Sequence, residues 1–319
     1  MASFKSVWQQ IKKHQRFLVT THHNPDADAA CSALAMALVL KQLGKKVIVV
    51  DEDALPAWLE FLPQSKIFTP KAKVAKADFD AALILDCGDY QRVGKVSELI
   101  GARYKINIDH HVTNDSFGDL NVIDPKASST CEMLVDLFKE GKVKLTKDIS
   151  LLLYAGIMTD TGSFRYDNTT AKTHAITAEL MKFGLSASDL HQRLYVGIPS
   201  ADIRRYVDVI HGAQLLLKNK VYCVSLTKRM TDDFSAGFDL KEKIFGFLRG
   251  VEGVELVVIL TEVNSSETRI NLRSQNNVDV AKLASQFNGG GHRKAAGAKM
   301  ALGLDATKKK LLSAIKKII

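Results

Sequence analysis

Apolar positions follow two rhythms along this chain. Short, partly β-branched runs at 17–21, 46–50, 81–85 and 104–108 read as strands. Between the first two, apolar residues over 28–43 recur at helical spacing, and Gly44 closes that helix as a C-cap. Strands alternating with helical stretches predict an α/β domain built on a doubly wound, mostly parallel sheet. After Asp124-Pro125 the helical period takes over, at 129–139, 147–154 and 170–183, with Gly184 ending the last helix. Residues 186–220 read as a helical linker in which Ile198-Pro199-Ser200 marks a helix start. A smaller α/β pattern follows, with strands at 221–226, 254–263 and 268–273 and helices at 241–248 and 278–287. The polar run 262–267 is the turn between two antiparallel strands. The expected organisation is therefore a first domain at 1–185, a linker at 186–220 and a second domain at 221–319.

The ends of the apolar runs carry the chemistry. His22-x-x-Pro25-Asp26-x-Asp28 closes the first run, Asp86 the third and Asp109-His110-His111 the fourth, while Asp160 follows the apolar stretch 151–158. In an open α/β sheet, the carboxyl ends of the strands form one rim where ligands bind. A single Asp after a strand is as often a helix cap or a turn residue. Four carboxylates converging on one rim would instead repel one another and resist desolvation unless cations sat among them. Carboxylates with some imidazole and no thiolate suit Mn²⁺ or Mg²⁺ better than structural zinc. Six side-chain ligands (His22, Asp26, Asp28, Asp86, His110 and Asp160) exceed what one open catalytic ion needs and fit a pair about 3.5–4 Å apart. His23 is expected to point away from this centre, and Asp109 to orient His110 or close its loop.

Composition adds limits. The chain of 319 residues, 46% hydrophobic and 25% charged, is ordinary for a globular protein and long enough for two modest cores. No apolar run reaches transmembrane length and the N-terminus lacks a signal-peptide core, so no membrane partner and a cytoplasmic location are expected. Cys31, Cys87, Cys131 and Cys223 are scattered, which suits buried reduced thiols. The net charge of +9 favours an anionic partner, although solvated lysines account for much basic surface. Lysines 308–310, 316 and 317 read as the exposed face of a terminal amphipathic helix whose stripe is Leu311, Leu312, Ile315 and Ile318. Gly289-Gly290-Gly291-His292 cannot be helix interior. It is either a flexible turn or a backbone that approaches a phosphate closely, with Arg273-Ser274 at the end of the preceding strand favouring phosphate.

These residues resemble the DHH phosphoesterase family. The first motif, Leu85-Asp86-Cys87-Gly88-Asp89 with Arg92, Asp109-His110-His111, and Gly156-Ile157-Met158-Thr159-Asp160-Thr161-Gly162 match its four metal-binding motifs in order. Leu272-Arg273-Ser274, the glycine triplet with His292, and Ala295-Ala296-Gly297 resemble the associated DHHA1 domain, so the likeness spans nearly the whole chain. One departure is Ala30-Cys31-Ser32, where many relatives carry Gly-Ser. The subgroup indicated is that of nanoRNases and 3′-phosphoadenosine-5′-phosphate (pAp) phosphatases.

The resemblance implies that His22, Asp26 and Asp86 hold one ion while Asp28, Asp86, His110 and Asp160 hold the other, with Asp86 bridging. It gives His111 a catalytic contact with a phosphate oxygen or the leaving group. Arg273, Ser274, Gly289, Gly290, Gly291 and His292 would grip the substrate, and Arg92 and Arg165 are further candidates. The implied enzyme uses two divalent ions, Mn²⁺ before Mg²⁺. It cuts short RNA or DNA oligonucleotides to 5′-mononucleotides and dephosphorylates pAp to AMP, one domain cutting while the other grips. A homodimer is left open. The alternatives are a linear or cyclic dinucleotide phosphodiesterase, a RecJ-like single-strand exonuclease (for which more length and an oligonucleotide-binding module are expected), a family II pyrophosphatase, and a non-catalytic nucleotide-binding module.

Overall fold

A computed structural model describes residues 3–195, 197–235, 238–275 and 278–319, with the side chain of His292 outside the described set. The chain divides into two compact units, Met1–Val196 and Gly197–Ile319.

The first unit carries strands β1 (Arg16–Thr20), β2 (Lys46–Asp51), β3 (Phe68–Pro70), β4 (Ala81–Leu85), β5 (Tyr104–Asp109) and β6 (Leu120–Ile123). They form one fully parallel sheet in the order β3-β2-β1-β4-β5-β6. All five side chains of the central strand β4 are buried, as expected of a strand covered on both faces. Its helices are α1 (Phe4–Lys13), α2 (Ala27–Gln42), α3 (Val96–Ile100), α4 (Thr130–Glu140), α5 (Lys147–Asp160), α6 (Ala171–Met181) and α7 (Ala187–Tyr195). Helix α2 is buried almost all round, packed against α4 and α5 as well as the sheet. Its C-terminus is closed by Gly44 in the left-handed conformation, at φ +74°.

The strand order reverses between β1 and β4, the switch point at which doubly wound sheets open a crevice. The first three motifs leave the carboxyl ends of β1, β4 and β5, which are neighbours in the sheet. The fourth motif leaves a helix instead of a strand: Asp160 is the last residue of α5, which runs well beyond the 147–154 span read from sequence. The edge strands β3 and β6, of three and four residues, carry too little periodicity to be read from sequence.

The second unit contains α8 (Ile203–His211), β7 (Gln214–Leu216), β8 (Val221–Leu226), α9 (Lys228–Asp232), α10 (Leu240–Leu248), β9 (Leu256–Asn264), β10 (Glu267–Ser274), α11 (Val280–Ser285), β11 (Gly290–His292), β12 (Ala295–Met300) and α12 (Leu304–Ile315). Its mixed sheet runs β11-β12-β10-β9-β8-β7, with β8 and β9 parallel and the other pairs antiparallel. Strand β10 alternates, burying Thr268, Ile270, Leu272 and Ser274. Residues 186–220 do not form a separate piece. Leu190 of α7 joins the first core, Tyr206 and Val209 of α8 join the second unit's core, and β7 is a strand within the stretch read as helical.

Candidate metal centre

Side chains from five elements meet beyond the rim. His22 and Asp86 lie in the loops leaving β1 and β4, and His110 follows β5 directly. Asp26 is the N-cap of α2, its Oδ1 accepting from Ala29 N at 3.0 Å, and Asp28 lies in the first turn of that helix. Asp160 ends α5. Three groups of ligand atoms, each within 4.8 Å of one another, result: His22, Asp26 and Asp86; Asp28, His110 and Asp160; Asp86, His110 and His111. All six predicted ligands are among them.

Asp86 lies at the centre. Its backbone takes the left-handed conformation, φ +53°, uncommon for a residue other than glycine and characteristic of functional sites. Its Oδ2 lies 3.7 Å from His22 Nε2, whereas its Oδ1 lies 3.4 Å from His110 Nε2. One carboxylate thus presents a different oxygen to each group.

The imidazoles are oriented for ligation. His22 Nδ1 is 2.9 Å from the carbonyl of His23, and His110 Nδ1 is 3.3 Å from the carbonyl of Ala127. A ring that donates through Nδ1 turns the lone pair of Nε2 toward the carboxylates. Lone pair then faces lone pair at 3.4–3.8 Å, an arrangement a divalent cation or a proton resolves. The residues present therefore fit hard or borderline divalent ions.

Electrostatics give the same picture. Burial, reinforced by Asp86 and Asp160, pushes Asp28 well above the usual carboxylate range. Burial also pushes Asp160 up to about 7, although His110 opposes it. For His110, burial pulls the imidazole down, but Asp160 and Asp86 outweigh it and leave it well above its ordinary value. His22 is raised in the same way, with Asp86 and Asp26 overcoming its burial. Asp86 is held well below the usual range despite its burial, because His110 and His22 both attract it. A buried cluster that must borrow protons in this way is one that cations would relieve.

Several contributors carry no sequence signal of their own. The first turn of α4 is aimed at the site: Thr130 N and Cys131 N donate to the two oxygens of Asp28 at 2.7 and 3.0 Å. Thr130 Oγ1 donates to Asp86 Oδ1 at 3.0 Å. Asp51, at the end of β2, receives Thr21 N and Thr21 Oγ1 and so anchors the loop that carries His22.

Two expectations on neighbouring residues are settled. Asp109 does not orient His110; its Oδ1 is 2.7 Å from His111 Nδ1, while His110 turns to the Ala127 carbonyl. His23 does point away, its Nδ1 lying 3.0 Å from the Arg92 carbonyl. Cys87 is buried with its thiol donating to the Asp89 carbonyl, and burial pushes its pKa up, which keeps it a protonated thiol rather than a ligand. All four cysteines are buried and free. Arg165 Nε donates to the Gly162 carbonyl at 2.8 Å.

The residues expected to grip substrate lie in the second unit. Arg273 Nη2 pairs with Glu242 Oε1 at 2.6 Å and its guanidinium lies over the Phe245 ring. Ser274 is buried, and its hydroxyl donates to the Val278 carbonyl at 2.7 Å. Gly289 and Gly291 have packing reasons to be glycine: a Cβ would stand 2.2 Å from the Gly297 carbonyl and 2.5 Å from the Ala295 carbonyl respectively. Gly290 has open space there, and the His292 side chain lies outside the described residues. The alternation of β10 places Arg269 and Asn271 on the face of Arg273. There Asn271 Oδ1 and Thr261 Oγ1 are buried without a hydrogen-bond partner. Lys241 nearby is lowered, by burial first and then by Arg269. A cation-rich face with orphaned polar atoms suits a polar anion.

A parallel sheet with this carboxylate–imidazole rim, joined to a second α/β unit of this kind, defines a class. The DHH family N-terminal domain matches residues 16–157 and the DHHA1 domain residues 238–319, so the chain belongs to the DHH/DHHA1 family of phosphoesterases. It is 33% identical to the bifunctional oligoribonuclease and PAP phosphatase NrnA of Thermus thermophilus, over 93% of this chain and 88% of that protein. Among solved structures, an exopolyphosphatase-related protein from Bacteroides fragilis superposes with a TM-score of 0.88 at 24% identity, covering 98% of this chain and 95% of that one. RecJ of Thermus thermophilus, crystallised with Mn²⁺, superposes at 0.52 and 13% identity, covering 99% of this chain and 53% of RecJ. Among the described residues, no helix is long and apolar enough to cross a membrane.

Proposed function

We propose that this phosphoesterase uses two divalent ions, Mn²⁺ in preference to Mg²⁺, to hydrolyse short oligonucleotides to 5′-mononucleotides and pAp to AMP. The observation that carries the two-ion reading is Asp86, whose two oxygens face separate ligand groups. His22, Asp26 and Asp86 would hold one ion, and Asp28, Asp86, His110 and Asp160 the other. Ions bound there would supply an activated water and electrostatic stabilisation of the phosphoryl oxygens. His111, held against Asp109, serves a phosphate oxygen or the departing oxygen. Arg273 and the Gly290 backbone, with Arg269 and Asn271 on the same face as Arg273, hold the part of the substrate remote from the reacting phosphorus, with His292 assigned there on sequence. Ser274 fixes the strand end that carries Arg273.

The substrate assignment rests on the Thermus relative, whose name states both activities. Manganese is preferred because imidazole accompanies the carboxylates. Four buried, unpaired thiols suit a reducing compartment, and the cytoplasm is the proposed location.

The deciding experiment is a metal-dependent assay against pAp, pyrophosphate, dinucleotides and longer single-stranded DNA, with EDTA and with Asp86→Ala. Hydrolysis of dinucleotides and pAp that EDTA abolishes and Mn²⁺ restores is the expected result, with Asp86→Ala losing several orders of magnitude. Turnover of pyrophosphate or long DNA alone would overturn the substrate reading. Wild-type turnover by folded Asp86→Ala would overturn the two-ion reading.

A further inference from the structure

Two amides, the buried Asn107 and the half-buried Asn114, stand in a chain behind His111. Asp109, the last residue of β5, is fully buried and accepts on both sides: its Oδ1 lies 2.7 Å from His111 Nδ1, and its Oδ2 takes Asn114 Nδ2 at 2.6 Å. Asn114 Nδ2 also reaches Asn107 Oδ1 at 2.9 Å. The amide orientations follow from their other partners. Asn114 Oδ1 accepts Ser116 N at 2.7 Å, which forces its NH₂ toward Asp109. Asn107 Nδ2 donates to the carbonyls of Ile84 and Cys87, which turns its Oδ1 toward Asn114. The carboxylate is thus clamped between a ring and an amide, with the amide anchored at the end of β4.

The geometry points to Asn114 as a positioning residue that acts through Asp109 to fix the tautomer and ring plane of His111. With Nδ1–H committed to Asp109, the imidazole can turn only its other edge, Nε2, to a phosphate or leaving oxygen. A neutral imidazole has two tautomers, and only one pairs with an ionised carboxylate at Nδ1. Asp109 could otherwise rotate away from the ring. Asn114 holds it in one rotamer by donating to Asp109 Oδ2 while His111 occupies Oδ1. Gly88 keeps the assembly compact, since a Cβ there would come within 3.2 Å of His111 Cβ and 3.4 Å of Asp109 Oδ2. Nothing in the residue pattern announces this role, because Asn114 reads as one more polar residue of a loop. The inference rests on the reading that His111 serves the substrate.

Asn114→Asp is the informative variant. It keeps the shape and the acceptor for Ser116 N but removes the donated hydrogens and sets a second carboxylate against Asp109. Outer hydrogen-bond partners of this kind are worth about ten- to a hundredfold in activity. Asn114→Asp should therefore lower kcat on a dinucleotide by that factor, with KM and Mn²⁺ content within about twofold of wild type. Asn114→Ala should do the same, and adding either to His111→Ala should cost less than about twofold more. Independently of turnover, nitrogen-15 spectra of histidine-labelled wild-type protein with Mg²⁺ should show the His111 proton on Nδ1, a signature lost in Asn114→Asp.

The outcomes separate the two ideas. If His111→Ala turns over normally, the substrate role of His111 fails and the relay falls with it. If His111→Ala is crippled but Asn114→Asp is not, only the relay is overturned. A His111 proton on Nε2 in the wild type, or an equal loss from Asn114→Asp in the presence and absence of His111, overturns it as well.

Discussion

Gly156 faces Asp28 across the α5–α2 contact so closely that a Cβ on it would stand 2.8 Å from Asp28 Oδ1 and 2.3 Å from Cys131 Sγ. Gly156 lies inside α5, where alanine normally favours a helix by about 1 kcal/mol. Here the sign should reverse. Gly156→Ala should lower stability by about 1–3 kcal/mol through overpacking. By displacing Asp28 it should also weaken Mn²⁺ binding about ten- to a hundredfold. Thermal melts with and without metal, together with calorimetric titration of Mn²⁺, measure both. A stabilised variant with unchanged affinity would contradict the contact.

Thr130→Val tests the hydroxyl that holds Asp86. Valine preserves the shape and the backbone N–H to Asp28 but loses the 3.0 Å bond to Asp86 Oδ1. Losing one such bond to a charged group costs about 1.5–3 kcal/mol, or roughly ten- to a hundredfold in kcat/KM. Serine at the same position should retain most activity. Equal losses in the serine and valine variants would assign the effect to packing.

The pH dependence of the metal-free protein has a definite sign. Asp160 rises from 3.8 to about 7 in the folded state, chiefly through burial, and Asp28 is raised in the same sense. Between those values the folded protein keeps protons that the unfolded chain releases, so stability falls as pH rises through this window. The raised His110 and His22 extend the fall above their unfolded value of 6.5. A divalent ion takes the place of the protons. The gain in Tm on adding Mn²⁺ should therefore grow from about pH 5 to about pH 8. Fluorimetric melts in EDTA and in excess Mn²⁺ check this, and an increment that shrinks with pH would be inconsistent with the cluster.

Arg273 is engaged by Glu242 across a short ion pair. Arg273→Ala should lower kcat/KM for dinucleotides and pAp about tenfold or more, while sparing a small chromogenic phosphodiester. Glu242→Gln should leave dinucleotide turnover intact or raise it, since it releases the guanidinium. A matching loss on both substrates in Arg273→Ala would place the arginine's role in packing over Phe245.

The strand endings of the site were legible because His22, Asp86 and His110 each follow a short, partly β-branched apolar run bounded by polar residues. Asp160 was readable as a ligand but not as a helix terminus, since an apolar run such as 151–158 fits either element. The donors from α4 were hidden for a different reason. Backbone N–H groups of Thr130 and Cys131 acquire their role from where the helix begins, not from side-chain type. Asn114 and Asn107 were invisible because an amide's meaning lies in its partners. Of the two readings of Asp109, orienting His110 fails because adjacency in the chain does not tell which ring faces back toward the strand end, while the bond from Asn114 ties the following loop to it.

The two packed glycines of the Gly289–Gly291 triplet have a consequence for recognising such proteins. Gly289, just before strand β11, and Gly291 within it must both press their backbone onto β12 whatever the second unit binds. Packing of the sheet by itself therefore calls for glycine at 289 and 291, with no ligand needed to account for them. The motif is thus a marker of architecture at two positions, and only Gly290 retains room for a ligand to leave its own imprint.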